Sequence, residues 1–447
     1  MEENRELLEQ LLESKSYGKI SKILKEMNPA DIALFFEDIE IEDAIILFRL
    51  LPKETAADTF VEMDSDMEQA LIAAFNDTEL KAVIDELYLD DTVDIIEEMP
   101  ANVVRRILKH SAPEMRESIN EILNYPDDSA GSIMTIEFVD LRKDMTVAEA
   151  FEKIRNTGVD KETIYTCYVI DRNRHLEGVV SVLHLLISSR DEIIGNIMDS
   201  NVISANTLDD KEDVANQINK YNFMALPVVD GENRLVGIVT FDDAIDVIKE
   251  EATEDIQIMA AISPTDKPYL KSGVFEIWKK RIPWLLLLMV SATFTGKIIQ
   301  SFESALAAQV ILTAFIPMLM DTGGNAGGQA SATIIRGLSL GDIEFRDWFR
   351  VVFKEMRVSL LCGVTLAVAN FAKMMLLDRV GLMVSAVVCI TLLSVVILAK
   401  FVGCSLPILA KKVGFDPAVM ASPFITTIVD ALSLMIYFSL AKALLQL

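Results

Sequence analysis

Apolar residues recur three and four apart through roughly the first 126 residues, in short runs broken by polar turns with little β-branching. DIALFFEDI (31–39), EDAIILFRLLP (42–52) and DTVDIIEEMP (91–100) are examples. This period puts one face of each run into a core and predicts short amphipathic helices stacked as successive hairpins. At YPDDSAGSIMT (125–135) the texture changes to strands alternating with helices. From about residue 281 long apolar stretches take over.

The middle section repeats itself. One copy opens with Ile133-Met134-Thr135, runs through a helix near 146–156 and ends in CYVIDRNRHLEGVVSVLHLL. The second opens with Ile197-Met198, has a helix near 210–220 and ends in LPVVDGENRLVGIVTFDDAIDVI. The turns VIDRNRHLEG and VVDGENRLVG predict hairpins between buried strands. The pair resembles tandem CBS domains, a regulatory module that commonly binds nucleotides or other small ligands. Thr240 and Asp243 match that family's ribose- and phosphate-contacting positions. They fit equally well as a helix cap and an acidic residue favoured at a helix's positive end.

Five apolar spans follow, at about 283–300, 305–334, 358–377, 381–405 and 417–441. Each approaches the roughly 20 residues a helix needs to cross hydrocarbon. Positive charge gathers at Lys279, Lys280 and Arg281, again from Arg336 to Arg357, and again at Lys411 and Lys412. The spans predict a multi-pass protein, expected in the cell inner (plasma) membrane, and the charge bias predicts its N-terminus cytoplasmic and its C-terminus extracytoplasmic.

Charge divides the chain in the same place. Residues 1–270 hold 58 Asp and Glu against 25 Lys and Arg, a formal charge of −33, whereas 271–447 carry +6. Such an acidic first part argues against a nucleic-acid partner, which would need basic surface. Cys167, Cys362, Cys389 and Cys404 form no C-x-x-C pair and read as small buried side chains. The start, MEENRELLEQLLES, reads as an acidic helix rather than a secretion signal. With no nucleophile–base pair, zinc signature or Walker motif legible, an enzyme is not expected.

Chemistry concentrates where the apolar pattern breaks. IPMLMDTGGNAGGQASA (316–332) sets Asp321, Asn325 and Gln329 four apart on one helical face, among glycines that permit close helix approach. Pro317 can kink this span. Asp430 lies well inside the last span, ASPFITTIVDALSLMIYF, with Thr426 and Thr427 a turn before it. A carboxylate in hydrocarbon must face water or a partner, so Asp430 either looks onto a wet path or is bonded to nearby hydroxyls or a distant base. Between the soluble and apolar parts, Asp246, Glu250 and Glu254 form one acidic row, with Glu251 and Asp255 beside it. That face is either solvated or binds a divalent ion.

YPDDSAGSIMT, EEATEDI, PMLMDTGGNAGGQAS and ASPFITTIVDALSL together resemble the MgtE family of magnesium transporters and channels, over essentially the whole chain. The resemblance implies a multidomain α-helical membrane protein in four parts. These are an acidic helical superhelix at 1–126, α/β tandem CBS domains at 127–250, a connecting plug helix at 251–280 and a five-helix transmembrane pore domain at 281–447. It further implies a homodimer in the lipid bilayer with its ion path between the membrane halves. Asp430 then matches the pore aspartate and Asn325 the pore-lining asparagine. Intracellular Mg2+ would bridge acidic positions around Asp246, Glu250, Glu251, Glu254 and Asp255 to close the pore, and ATP at the CBS domains would tune the sensor. The rival expectation is an ion-coupled secondary transporter of divalent cations. Ser132 departs from the family text, which has a second glycine there.

Overall fold

The computed structural model describes residues 2–158, 161–265, 267 and 269–446. The chain forms two compact units, residues 1–248 and 249–447.

Among the described residues the first unit starts with ten helices, α1–α10, between Glu2 and Ile122. Their starts are set locally. Asn28 accepts the Ala30 N–H ahead of Pro29, and Asn76 with Glu79 forms a reciprocal capping box. Helices pack on their next-but-one neighbours: Pro29–Glu37 on Lys53–Val61, and that helix on Asp77–Ile84. This is the packing expected of stacked helical hairpins. Its core runs continuously through Ile32, Phe36, Leu47, Phe60, Leu71 and Val93.

The CBS pair comprises two three-stranded sheets. In the first, β1 (Phe138–Leu141) pairs parallel with β2 (Thr163–Ile170), which pairs antiparallel with β3 (Leu176–Ser181). In the second, β4 (Ala205–Asn206), β5 (Ala225–Val229) and β6 (Leu235–Thr240) repeat that order. Helices α11 (Val147–Thr157), α12 (Val182–Ile187), α13 (Ile194–Ile197) and α14 (Lys211–Tyr221) cover them.

The opening segments change places. Thr135 bridges Ile238 of β6, while Asp199 bridges Val179 of β3, so each repeat's first residues extend the edge of the other repeat's sheet. Gly178 and Gly237 are required here, because a side chain at either would collide with Met198 or Met134. Ser132 bonds the carbonyls of Asp127 and Ser129, each at 2.8 Å, and closes the turn entering the pair.

α15 (Phe241–Met259) is one uninterrupted helix that passes through residue 250. After it come α16 (Val274–Ser301), the short α17 (Glu303–Ala308), α18 (Ile316–Ser339), α19 (Trp348–Lys373), α20 (Leu382–Val413) and α21 (Ser422–Leu445). Among the described residues, four helices are long and apolar enough to cross a membrane: α16, α19 with its flanking turns, α20, and α21 with the turn before it. The helix of 24 residues at α18 is not one of these, because Asp321, Asn325, Gln329 and its glycines dilute its apolar content.

The stretch expected as one span at 305–334 is broken. α17 gives way to a 3-10 turn at Val310–Phe315, and α18 begins only at Ile316. Pro317 therefore does not kink a helix. It occupies the first turn of one, where its missing N–H costs nothing.

α18 is central to the second unit, lying against both α20 and α21. A side chain on Gly403 of α20 would run into the Gly327 carbonyl of α18, so these two backbones touch. Gly323 and Gly324 meet Val429, Ser433 and Thr426 of α21 in the same way.

Candidate functional site

The close approach of α18 to α21 fixes the surroundings of Asp430. Its Oδ1 is buried and accepts no hydrogen bond, and the buried Ser433 hydroxyl is equally without a partner. The Thr427 hydroxyl donates to the Pro423 carbonyl at 3.2 Å and is thereby used up. Asp321, near the start of α18, is the charged group whose field reaches Asp430. Among the described residues, this is an acceptor atom held in an apolar span that receives no hydrogen bond.

Asp321, Asn325 and Gln329 do share one face of α18, and all three are exposed on the protomer. A row that polar cannot face lipid tails, so it must meet water or protein. With Thr322, Thr365 and Lys400 the row lines a cavity of about 480 Å³. Asp430 does not line that cavity. Among the described residues no three His, Cys, Asp or Glu side chains converge as a metal cage. Oxygens are offered singly here, which suits an ion that keeps its own water.

Sequence reasoning missed the cation in this region. Lys400 of α20 reaches Glu355 of α19 at 3.4 Å, with the two side chains only 7% and 15% exposed. A lysine inside a stretch as apolar as TLLSVVILAKFVGC was the available signal.

On α15 the two acidic rows separate as their spacing predicts. Asp246, Glu250 and Glu254 are exposed, while Glu251 and Asp255 are half-buried. Asp255 accepts a 2.8 Å hydrogen bond from the Ser339 hydroxyl at the end of α18. Burial, and secondarily Asp255, raises the Asp416 carboxyl at the start of the 3-10 turn Pro417–Met420. Ile258 and Met259 pack on Ile335, Ala418 and Ala421. The end of α15 thus sits against the end of α18, which carries the polar row, and against the turn that leads into α21, which carries Asp430.

A second carboxylate cluster was not legible in the sequence. Asp90 and Asp91, in the helix Leu89–Glu98, lie with Glu162 and with Asp242 and Asp243 of α15. Burial pushes Asp91 up to about 7, and the Asp243 and Asp242 charges push the same way. Burial raises Glu162 to about 8, with Asp91 adding to it. Asp243 rises to about 6 through burial, even though Thr240 donates to it at 2.6 Å. Asp90, 7% exposed, is driven up by burial and then by Asp243. Among the described residues, Glu162 Oε2 is buried without a hydrogen-bond partner. Thr240 and Asp243 therefore bond each other at the start of α15, and Asp243 at the same time joins an acidic cluster. The Asp-Asp steps at 90–91 and 242–243 were visible, but their meeting across some 150 residues was not.

A helical N-terminal domain, a CBS pair, and an apolar bundle carrying an intramembrane carboxylate beside a glycine-packed polar helix define a polytopic divalent-cation transporter with a regulatory cytosolic half. Three family profiles agree, described as a divalent cation transporter at 316–440, an MgtE intracellular N domain at 27–128, and CBS domains at 130–190 and 194–250. The chain belongs to the MgtE family of magnesium transporters. It is 36% identical to a magnesium transporter of Thermus thermophilus, over 98% of both chains. A Bacillus subtilis magnesium transporter is 32% identical over 96% of this chain and 95% of its own length. Among solved structures, the soluble part of a magnesium transporter matches with a TM-score of 0.53 and 33% identity, covering 56% of this chain and 99% of that one. The cytosolic domain of the Mg2+ channel MgtE in complex with ATP matches with a TM-score of 0.51 and 32% identity, covering 54% and 98%. Membership of this family makes the chain a non-enzymatic protein.

Proposed function

We propose that two copies of this chain form a Mg2+-selective path lined by Asp430 and Asn325, which imports magnesium down its electrochemical gradient and is closed by internal Mg2+. All five apolar helices then cross the membrane, α18 included, with the N-terminus inside and the C-terminus outside. The observation that carries this reading is the unpartnered, buried Oδ1 of Asp430. Paired across a two-fold axis, two such carboxylates hold a hydrated divalent ion through water. A membrane potential supplies roughly 4.6 kcal/mol per divalent ion for each 100 mV, so hydrolysis is not required.

Closure follows from electrostatics. The Asp90, Asp91, Glu162 and Asp243 cluster, and the acidic rows of α15 from Asp246 to Asp255, repel when internal Mg2+ is low. Mg2+ neutralises them and favours the compact, closed arrangement, to which it binds more tightly. ATP enters at the CBS pair, with Asp243 accepting from ribose hydroxyls, since the surrounding carboxylates would repel phosphate.

Patch recording from reconstituted protein, with internal Mg2+ stepped, tests the whole reading. Single-channel currents that fall as internal Mg2+ rises are expected, without an obligatory counter-ion; strict coupling to a second ion would favour the secondary transporter instead. Converting Glu250, Glu251, Glu254 and Asp255 together to their amides should raise the half-closing Mg2+ concentration about tenfold, a coupling change of roughly 1.4 kcal/mol. An unchanged closing curve would remove these residues from the sensor.

The buried cluster also makes a pH prediction. Asp91, Glu162 and Asp243 hold protons at about 7, 8 and 6, well above the roughly 4 of an unfolded carboxyl. Their contribution to stability is therefore complete below about pH 4 and is lost as pH rises through about 6 to 8. In the full-length protein without Mg2+, proteolytic cutting within residues 1–248 should be about threefold or more faster at pH 8 than at pH 6. Millimolar Mg2+ should restore protection at pH 8. Equal rates at both pH values would mean that the cluster is solvated.

A further inference from the structure

The chain between α15 and α16 folds back on the start of α16. The Gln257 side chain donates to the Thr265 carbonyl at 2.9 Å and accepts the Thr265 N–H at 2.8 Å. The Ser263 N–H donates to the Lys280 carbonyl at 3.0 Å, and the Lys280 ammonium closes on the Pro264 carbonyl. These bonds frame a cavity of about 260 Å³ whose described lining includes Lys267, Tyr269, Ser272, Lys280, Arg281 and one acid, Glu276. In a chain of net charge −27, the described lining sets three basic side chains against one acid.

Its depth is set by α16. The apolar run of that helix begins at Pro283, two residues past Arg281, so the pocket mouth lies within about one helical turn of the hydrocarbon. Around it Tyr269, Leu270, Val274, Phe275 and Trp278 are exposed. Aromatic and apolar side chains gathered beside basic ones at the foot of a spanning helix are what a bilayer's headgroup layer selects. The apolar window of α16 is also wholly unburied in the protomer, leaving its flank open to acyl chains.

We propose that this cavity binds the headgroup of an anionic phospholipid, the phosphate lying between Lys267 and Arg281 and the acyl chains running down past Phe275 and Trp278. Lys280 holds the loop through Pro264, and Tyr269 supplies a hydroxyl donor. Because Lys267 belongs to the loop and Arg281 to the helix, the lipid ties the end of α15 to the first membrane span. It thereby links leaflet composition to the helix that carries the acidic rows. The leaflet is the cytoplasmic one if the orientation proposed above holds, but binding itself does not depend on ion conduction.

Native mass spectrometry of the full-length protein in a non-ionic detergent tests this, with phosphatidylglycerol and phosphatidylcholine of matched chains. Phosphatidylglycerol should be retained and phosphatidylcholine lost. The double substitution Lys267→Gln and Arg281→Gln should weaken phosphatidylglycerol binding about tenfold or more. Glu276→Gln should tighten it, a gain that damage to the fold would not produce. Arg346→Gln with Arg350→Gln, equal in charge but elsewhere on the chain, should leave it unchanged. Equal retention of both lipids would overturn the proposal, as would an equal loss in that charge-matched control. Inorganic phosphate displacing the lipid at equal concentration would overturn the lipid assignment in favour of a free-anion site.

Discussion

Asp430→Asn is expected to abolish Mg2+ flux into sealed liposomes while leaving a folded, fully assembled protein. Asparagine keeps the shape and removes the charge. Asp430 Oδ1 gains no hydrogen bond from the described residues of its own chain, so the wild-type carboxylate costs stability where it stands. Thermal stability in detergent should therefore hold or rise. Flux depends on the charge directly. At an effective dielectric near 20, a divalent ion held about 5 Å away gains roughly 7 kcal/mol from one carboxylate. Losing half of that would slow passage more than about 100-fold. Normal flux with normal Mg2+ preference in this variant would end the assignment of Asp430 to the path.

Lys400→Met should instead be damaging to the fold. It leaves the Glu355 carboxyl almost enclosed and without its ammonium. Breaking one side of such a pair costs about 3–5 kcal/mol, whereas replacing both partners is often neutral. The single variant should lose its assembled form at much lower temperature, and the double variant Lys400→Met with Glu355→Gln should recover most of the loss. A single variant as stable as the parent would mean that water reaches the pair. If the double variant assembles but its flux is altered, Lys400 also matters as a lining residue of the cavity beside Asp321.

The contrast between these residues explains what the sequence could disclose. Asp430 stood out because its neighbours on α21 are apolar, and a charge among them violates a local pattern. The stacked helices, the CBS repeat and the glycine-rich α18 were legible for the same reason, since periodicity and repetition are local properties. The break at 309–316 was not legible, because VILTAF is apolar enough to read as helix. Only the placement of Pro317 in a first turn reveals where the helix begins. The Asp90–Asp243 cluster and the Lys400–Glu355 pair are matters of which distant elements meet, and a hydrophobic period states only which face of an element is buried. Thr240 and Asp243 show the limit most sharply. Their spacing fits a cap and a ribose contact alike, and the structure adds a third circumstance, a crowd of carboxylates from another part of the chain.

The traded opening segments of the CBS pair have a bearing on how such a module can be inherited or cut. Residues around Thr135 finish the sheet of the later copy, and those around Asp199 finish that of the earlier one. Excising either copy would strip its sibling of an outermost ribbon and leave raw amide edges, a known invitation to aggregation. Duplicates braided in this manner can diverge in side chains but not in presence, so the smallest heritable piece is both together.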